Sequence, residues 1–119
     1  MVHGEDGMDE ISLTGKTDIA EVWNGTVNRY AVAPENFGLP RCTLKDLQCS
    51  SKEEHKEQAL KILGGIPGAK ADIVCLNAGA ALYAAERALS IGEGIAMARK
   101  AVEQGAALKK LNEIIEFSQ

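Results

Sequence analysis

At residues 2–12 the chain reads Val-His-Gly-Glu-Asp-Gly-Met-Asp-Glu-Ile-Ser. Two glycines frame a short polar loop, and two adjacent carboxylates, Asp9 and Glu10, follow the loop directly before an apolar residue. The acidic side chains of this stretch repel one another, so they need either open solvent or a cation. Mg²⁺ prefers oxygen ligands and is usually held by one or two carboxylates plus substrate phosphates and water. Residue types alone leave a solvated acidic turn and a Mg²⁺ site as alternatives.

A β-hairpin is predicted next along the chain. Asn24 and Gly25 separate two runs of strand-forming residues, 18–23 and Thr26–Val32. Asn-Gly at this spacing is typical of a type I′ turn, because both central residues need a positive φ. Residues 1–3 are interpreted as the end of another strand, and residues 11–13 as a short extended piece. Residues 1–33 therefore form the predicted β part, with an irregular connection over residues 34–51 that contains one helical turn at 43–47.

Residues 52–117 are predicted to be helical. Ser-x-x-Glu capping boxes at Ser51 and Ser90 begin two helices, of which the first ends at Gly64-Gly65 and the second at Gly105. The predicted helices cover 52–63, 70–89, the stretch from Ser90 to Gly105, and 106–117. Apolar residues at helical spacing predict inward faces in the last two of these helices: Ile91, Ile95, Ala98 and Val102, then Leu108, Leu111 and Ile115.

Composition excludes several classes of protein. A chain of 119 residues with 45% hydrophobic and 25% charged residues is typical of one globular domain at most. A net charge of −4 argues against a nucleic-acid partner, which would favour a basic surface. The three cysteines form no Cys-x-x-Cys pair, which favours a reducing, cytoplasmic location. The longest apolar run is too short to span a membrane.

The acidic stretch is followed by further motifs that together resemble one family. These are Thr14-Gly15, Val-Ala-Pro-Glu-Asn-Phe-Gly-Leu at 32–39, Leu-Asn-Ala-Gly-Ala-Ala-Leu-Tyr at 76–83, and the segment 105–111. In this order they resemble anthranilate phosphoribosyltransferases. The resemblance spans the whole chain but only the last third or so of such an enzyme. The family's glycine-rich phosphate loop, its Lys-His-Gly-Asn-Arg stretch and its helical N-terminal domain have no counterpart here.

The resemblance implies a fold. Residues 1–119 would form a single partial domain, the C-terminal part of an α/β glycosyltransferase domain of the anthranilate phosphoribosyltransferase and nucleoside phosphorylase type. In the larger domain this implies a mostly parallel sheet flanked by helices. The part within this chain is expected to be a sheet fragment with a hairpin, followed by about four helices.

The resemblance also implies a reaction, in which phosphoribosyl passes from phosphoribosyl diphosphate to anthranilate in tryptophan biosynthesis. Asp9 and Glu10 would bind the Mg²⁺ that accompanies the departing diphosphate. The complete enzyme would be a homodimer formed through its N-terminal domain. We assign no catalytic residue within these 119 residues, and we expect the chain alone to be inactive because the substrate-positioning groups lie outside it.

Other polar residues receive weaker interpretations. His3 and Gly4 are candidate neighbours of the substrate, and Glu5 and Asp6 are candidates to support the metal ligands from behind. A second group is interpreted as structural, with Asn77 satisfying a backbone group and the others packing: Cys75, Tyr83 and Trp23.

Two alternatives to the enzyme remain open. The chain could be a non-catalytic folded module or remnant. It could also be part of a protein related to pyrimidine nucleoside phosphorylases, which share the fold but lack the Asp-Glu signature.

Overall fold

Three antiparallel strands form the sheet of the N-terminal part, in the spatial order β1-β2-β3. They are β1 (Val2–Gly4), β2 (Thr17–Trp23) and β3 (Thr26–Val32). The computed structural model describes residues 1–119, which divide into two compact units, Met1–Leu47 and Gln48–Gln119. The prediction of a single partial domain stays a prediction, and each unit is described by itself.

The predicted hairpin is confirmed. Trp23 pairs with Thr26, and the two residues between them, Asn24 and Gly25, have φ values of 48° and 76°. Positive φ at both central positions is what a type I′ turn requires, and its twist matches that of the flanking strands. The turn therefore sets the register of the whole β2–β3 pair, from Trp23 opposite Thr26 to Thr17 opposite Val32.

This turn gives a direct prediction. Gly25→Val or Asn24→Pro should destabilise the N-terminal unit by about 1–3 kcal/mol, because neither residue accepts a positive φ without strain. Asn24→Gly is the matched control, since glycine adopts the same φ freely. Urea unfolding followed by tryptophan fluorescence measures the effect at Trp23. Equal midpoints for Gly25→Val and the wild-type protein would contradict the turn.

Most of the core of this unit comes from residues outside the strands. Ile11, Ser12 and Leu13 are 2%, 1% and 0% exposed, yet they join no strand, so the short extended piece expected there is a buried loop segment. Ile19 and Leu39 complete the apolar core. A 3₁₀ turn over Pro34–Phe37 and the single-turn helix α1 (Leu44–Leu47) follow β3.

Four longer helices make up the second unit, as predicted: α2 (Lys52–Leu63), α3 (Ala69–Ala84), α4 (Ile91–Glu103) and α5 (Ala106–Phe117). Both Ser-x-x-Glu motifs cap helices, since Ser51 and Ser90 each accept a hydrogen bond from the backbone N–H three residues later. The glutamates differ from a full capping box. Glu54 and Glu93 accept from the N–H groups of Ser50 and Leu89, one residue before each cap.

The predicted end of α3 is wrong. The helix ends at Ala84 and not at residue 89, because Glu86 turns the chain with a φ of 58°. The N–H groups of Glu86 and Arg87 donate to the carbonyls of Tyr83 and Leu82, at 3.0 and 2.8 Å. These two bonds form a Schellman motif, which normally carries glycine at the position of Glu86.

Helices α3 and α4 pack closely through glycines. A Cβ placed on Gly79 would lie 2.8 Å from Cγ1 of Ile95, and one placed on Gly94 would lie 2.8 Å from the carbonyl carbon of Gly79. Beside this crossing, Arg99 donates to Asp72 at 2.8 Å. The two helices therefore share a core with almost no side chain between their backbones at the crossing.

The predicted inward faces are confirmed for α4 and only partly for α5. Ile95 and Ala98 are buried, but Ile115 is 46% exposed and is therefore not an inward residue. No helix of the chain is both long enough and apolar enough to cross a membrane.

Candidate functional site

The acidic stretch folds as a tight loop at the end of β1. The N–H of Gly4 donates to the carbonyl of Met8, and the N–H of Gly7 donates back to the carbonyl of Gly4, both at 2.9 Å. Gly7 has a φ of 88°, in the left-handed region that favours glycine. The chain therefore reverses within five residues and delivers Asp9 and Glu10 directly after the loop.

Asp6 lies at the centre of this loop. Its Oδ1 accepts a hydrogen bond from the N–H of Met8 at 3.0 Å, and its Oδ2 accepts from the Ser12 hydroxyl at 2.5 Å and from the Thr14 hydroxyl. Burial by itself would raise the pKa of Asp6, but these hydrogen bonds outweigh it and hold the pKa below its usual value. Asp6 is therefore an ionised acceptor inside the loop.

Asp9 and Glu10 point into solvent from a rigid base. Both are exposed, while the next three residues of the chain are buried. Although Glu10 is exposed, desolvation beside the loop and the neighbouring charges of Asp9 and Asp6 raise the pKa of its carboxyl. Neither side chain takes part in any of the four ion pairs of the chain, which lie elsewhere. The negative charge here is uncompensated by the protein.

The donor set fits Mg²⁺ only as a partial site. No group of three or more His, Cys, Asp or Glu side chains lies close enough to enclose a metal. Two neighbouring carboxylates with open solvent around them suit an ion that keeps its remaining ligands as water and substrate phosphate. They do not form a closed structural cage.

The other residues of the predicted site have distinct surroundings. His3 is exposed on β1 opposite Asp18 of β2, whereas Gly4 is buried. A Cβ on Gly4 would collide with Oδ1 of Asp6, so the close approach of backbone and carboxylate requires glycine there. Glu5 is exposed, and its carboxylate lies 3.4 Å from the N–H of Lys16.

An open cleft of about 550 Å³ also lies on the sheet of this unit. Its charged and polar lining comes from all three strands: His3, Asp18, Arg29 and Tyr30. Strand pairing brings His3 beside Asp18, a juxtaposition that depends on register and is visible in the sequence only after β1 is paired with β2. Asp9 and Glu10 do not line this cleft.

The residues interpreted as structural behave mostly as predicted. Asn77 donates from its side chain to the carbonyl of Ile73 at 3.0 Å, so it satisfies a backbone group within α3. Cys75 is 4% exposed, and burial raises the pKa of its thiol. Tyr83 is half-buried, whereas Trp23 is 53% exposed at the hairpin tip and packs less than expected.

Sequence reasoning missed the role of Ser12 and Thr14. Their hydroxyls lie 3.1 Å apart and both donate to the Asp6 carboxylate. A serine and a threonine placed two residues apart, six and eight residues after an aspartate, are the only signal in the sequence. That spacing becomes informative only once the loop is known to close.

Comparison with known protein families gives a match to most of the chain. A family model described as "Glycosyl transferase family, a/b domain" matches residues 1–108. This match confirms the predicted α/β class, although the three strands present in this chain pair antiparallel.

Individual relatives extend the match to the whole chain. An anthranilate phosphoribosyltransferase from Chromobacterium violaceum is 44% identical over 119 residues, which are 100% of this chain and 35% of the relative. The chain thus spans about a third of the length of the curated relatives it matches.

Solved structures show the same fold. The crystal structure of anthranilate phosphoribosyltransferase from Thermus thermophilus matches with a TM-score of 0.87 and 40% identity, covering 98% of this chain and 34% of that one. The enzyme from Saccharomyces cerevisiae in complex with PRPP and Mg matches with a TM-score of 0.85, covering 97% of this chain and 33% of that one. At 24% identity, the yeast likeness concerns the fold alone.

Proposed function

This chain belongs to the glycosyl transferase family, whose a/b domain covers residues 1–108, and we propose its function from that membership. We infer that it is part of an anthranilate phosphoribosyltransferase. The complete protein would transfer phosphoribosyl from phosphoribosyl diphosphate to anthranilate and release diphosphate. One observation carries the proposal: relatives bearing that name match this chain from end to end at 44–48% identity.

The acidic loop supplies the chemistry that this part of the enzyme would contribute. Asp9 and Glu10 present carboxylate oxygens to solvent, carry no ion-pair partner, and stand on a buried base that holds them in place. These are properties of residues that hold Mg²⁺ together with a phosphate-bearing substrate. When bound, Mg²⁺ would neutralise the negative charge that accumulates on diphosphate as it leaves.

His3 and Gly4, at the end of β1, are the candidate neighbours of the substrate. His3 is exposed one residue before the buried Gly4, where the strand enters the loop. We place both beside the bound substrate, with Gly4 contributing only backbone, because a Cβ there would collide with the Asp6 carboxylate. Neither is proposed to move a proton.

The proposed function also implies an oligomeric state and a cellular location for the complete protein. We propose a homodimer, formed through an N-terminal domain that lies outside these residues, and a cytoplasmic location. The net charge of −4 gives no support to a nucleic-acid partner. The names of the relatives favour neither a non-catalytic module nor a pyrimidine nucleoside phosphorylase.

The proposal is tested on the complete protein that contains this chain. We expect anthranilate fluorescence to decay only when phosphoribosyl diphosphate and Mg²⁺ are both present, and to stop when EDTA is added. A phosphorolysis assay with uridine or thymidine is the control for the related reaction. Nucleoside cleavage without anthranilate consumption would overturn the proposal.

A further inference from the structure

The Asp6 carboxylate joins the two sides of the segment that carries Asp9 and Glu10. On one side its Oδ1 accepts a hydrogen bond from the backbone N–H of Met8 at 3.0 Å. On the other side its Oδ2 accepts hydrogen bonds from the hydroxyls of Ser12, at 2.5 Å, and Thr14. One side chain therefore bridges the residues on either side of the two candidate metal ligands.

The anchors of this bridge are themselves held in place. Ser12 is 1% exposed, and its N–H donates to the hydroxyl of Thr17, a fully buried residue, at 3.0 Å. The N–H of Thr14 donates to the Ser12 hydroxyl oxygen at 2.9 Å. Because an ionised carboxylate can only accept, the Ser12 hydroxyl is the donor in its bond to Asp6. The far end of the bridge thus rests on the core of the unit.

The bridge requires a carboxylate. If Asp6 became asparagine, its amide nitrogen would face either the N–H of Met8 or the hydroxyls of Ser12 and Thr14. The first arrangement sets two donors against each other, and the second requires both hydroxyls to turn away from their present acceptor. An asparagine of nearly the same shape therefore loses at least one arm of the bridge.

We propose that Asp6 is a positioning residue that fixes Asp9 and Glu10 in the geometry that binds Mg²⁺ with the diphosphate of the substrate. This inference rests on the proposed function. Replacing a residue that orients metal ligands through hydrogen bonds typically lowers metal affinity or activity roughly 10–100-fold. Asp6 touches neither substrate nor metal in this scheme and acts only through the loop.

The test is calorimetric titration of the complete protein with phosphoribosyl diphosphate in the presence of Mg²⁺. Asp6→Asn should weaken this binding roughly 10–100-fold. Thr14→Val, which removes one donor and leaves the carboxylate in place, should produce a smaller loss in the same direction. The KM for anthranilate should change much less than the binding of phosphoribosyl diphosphate in both variants, because the bridge supports only the candidate metal ligands.

A stability control separates positioning from general damage. Ile19→Val removes one methylene from the buried core of the same unit, and Ile19 takes part in none of the hydrogen bonds of the bridge. It should leave diphosphate-substrate binding unchanged. The proposal is overturned if Asp6→Asn and Thr14→Val bind as the wild-type protein does, or if Ile19→Val weakens binding as much as they do.

The result also separates this inference from the proposed function. If the wild-type protein neither binds phosphoribosyl diphosphate nor consumes anthranilate, the proposed function fails and the positioning role fails with it. If the wild-type protein binds and turns over while Asp6→Asn matches it, only the positioning role fails.

Discussion

Replacing Gly94 by alanine is expected to destabilise the helical unit by about 3 kcal/mol, near the upper end of the usual cost of overpacking a core. The new Cβ would lie 2.8 Å from the carbonyl carbon and 2.9 Å from the Cα of Gly79. These are backbone atoms of α3, so no side-chain rotation can relieve the clash. Urea unfolding of the chain, followed by circular dichroism at the helical minimum, measures the loss.

The same helix offers a matched control. Gly92 also lies in α4, but a Cβ there would meet only the Ser90 hydroxyl, at 3.8 Å. Gly92→Ala should therefore leave stability unchanged or raise it by up to about 1 kcal/mol, because alanine favours helix more than glycine does. A Gly94→Ala variant as stable as Gly92→Ala would contradict the close crossing of α3 and α4.

The features that could be predicted from the sequence are those with local causes. The Asn24-Gly25 turn and the starts of α2 and α4 depend on residues within four positions of one another. The end of α2 is also local, since Gly65 supplies the φ of 91° that its Schellman motif uses. For these elements a short window of sequence contains the whole physical reason.

The errors have causes that no short window contains. Helix α3 ends with the same Schellman geometry as α2, but Glu86 occupies the position where Gly65 stands. Glutamate gives no sign of a left-handed conformation, so the sequence pattern predicts a helix that continues past its actual end at Ala84. Ile115 has the right spacing for an inward face, but α5 buries no residue completely in this chain.

The acidic loop falls between these cases. Its charge and its family resemblance single out Asp9 and Glu10 directly. The role of Asp6 depends on Ser12 and Thr14, which approach it only because the loop closes onto the core. Residue types alone do not distinguish Asp6 from Glu5, although Asp6 is the centre of a hydrogen-bonded network and Glu5 is exposed.

Removing both charges from the candidate metal ligands should lower turnover of the complete protein by roughly 100-fold or more. Losing several kcal/mol of charge stabilisation on the departing diphosphate corresponds to a factor of this size. Asp9→Asn with Glu10→Gln keeps the size and shape of both side chains, so the loss should fall on the reaction. Raising the Mg²⁺ concentration should restore part of the rate by mass action.

The fold should survive this double substitution. Asp9 and Glu10 make no ion pair, and the pKa of Glu10 is raised above its usual value. A raised carboxyl pKa means that the ionised form is disfavoured in the folded state, so its charge opposes folding above that pKa. At neutral pH, Glu10→Gln therefore removes an unfavourable charge, and thermal stability should not fall.

The most direct measurement is kcat/KM for phosphoribosyl diphosphate across a range of Mg²⁺ concentrations, in the wild-type protein and the double variant. Glu103→Gln with Glu116→Gln is the control, because it removes two negative charges from exposed positions in the other unit. We expect the Asp9→Asn, Glu10→Gln variant to need far more Mg²⁺ to reach half of its maximal kcat/KM, and the control to follow the wild-type curve. If the Asp9, Glu10 variant keeps wild-type rates at limiting Mg²⁺, these carboxylates are a solvated turn and hold no metal.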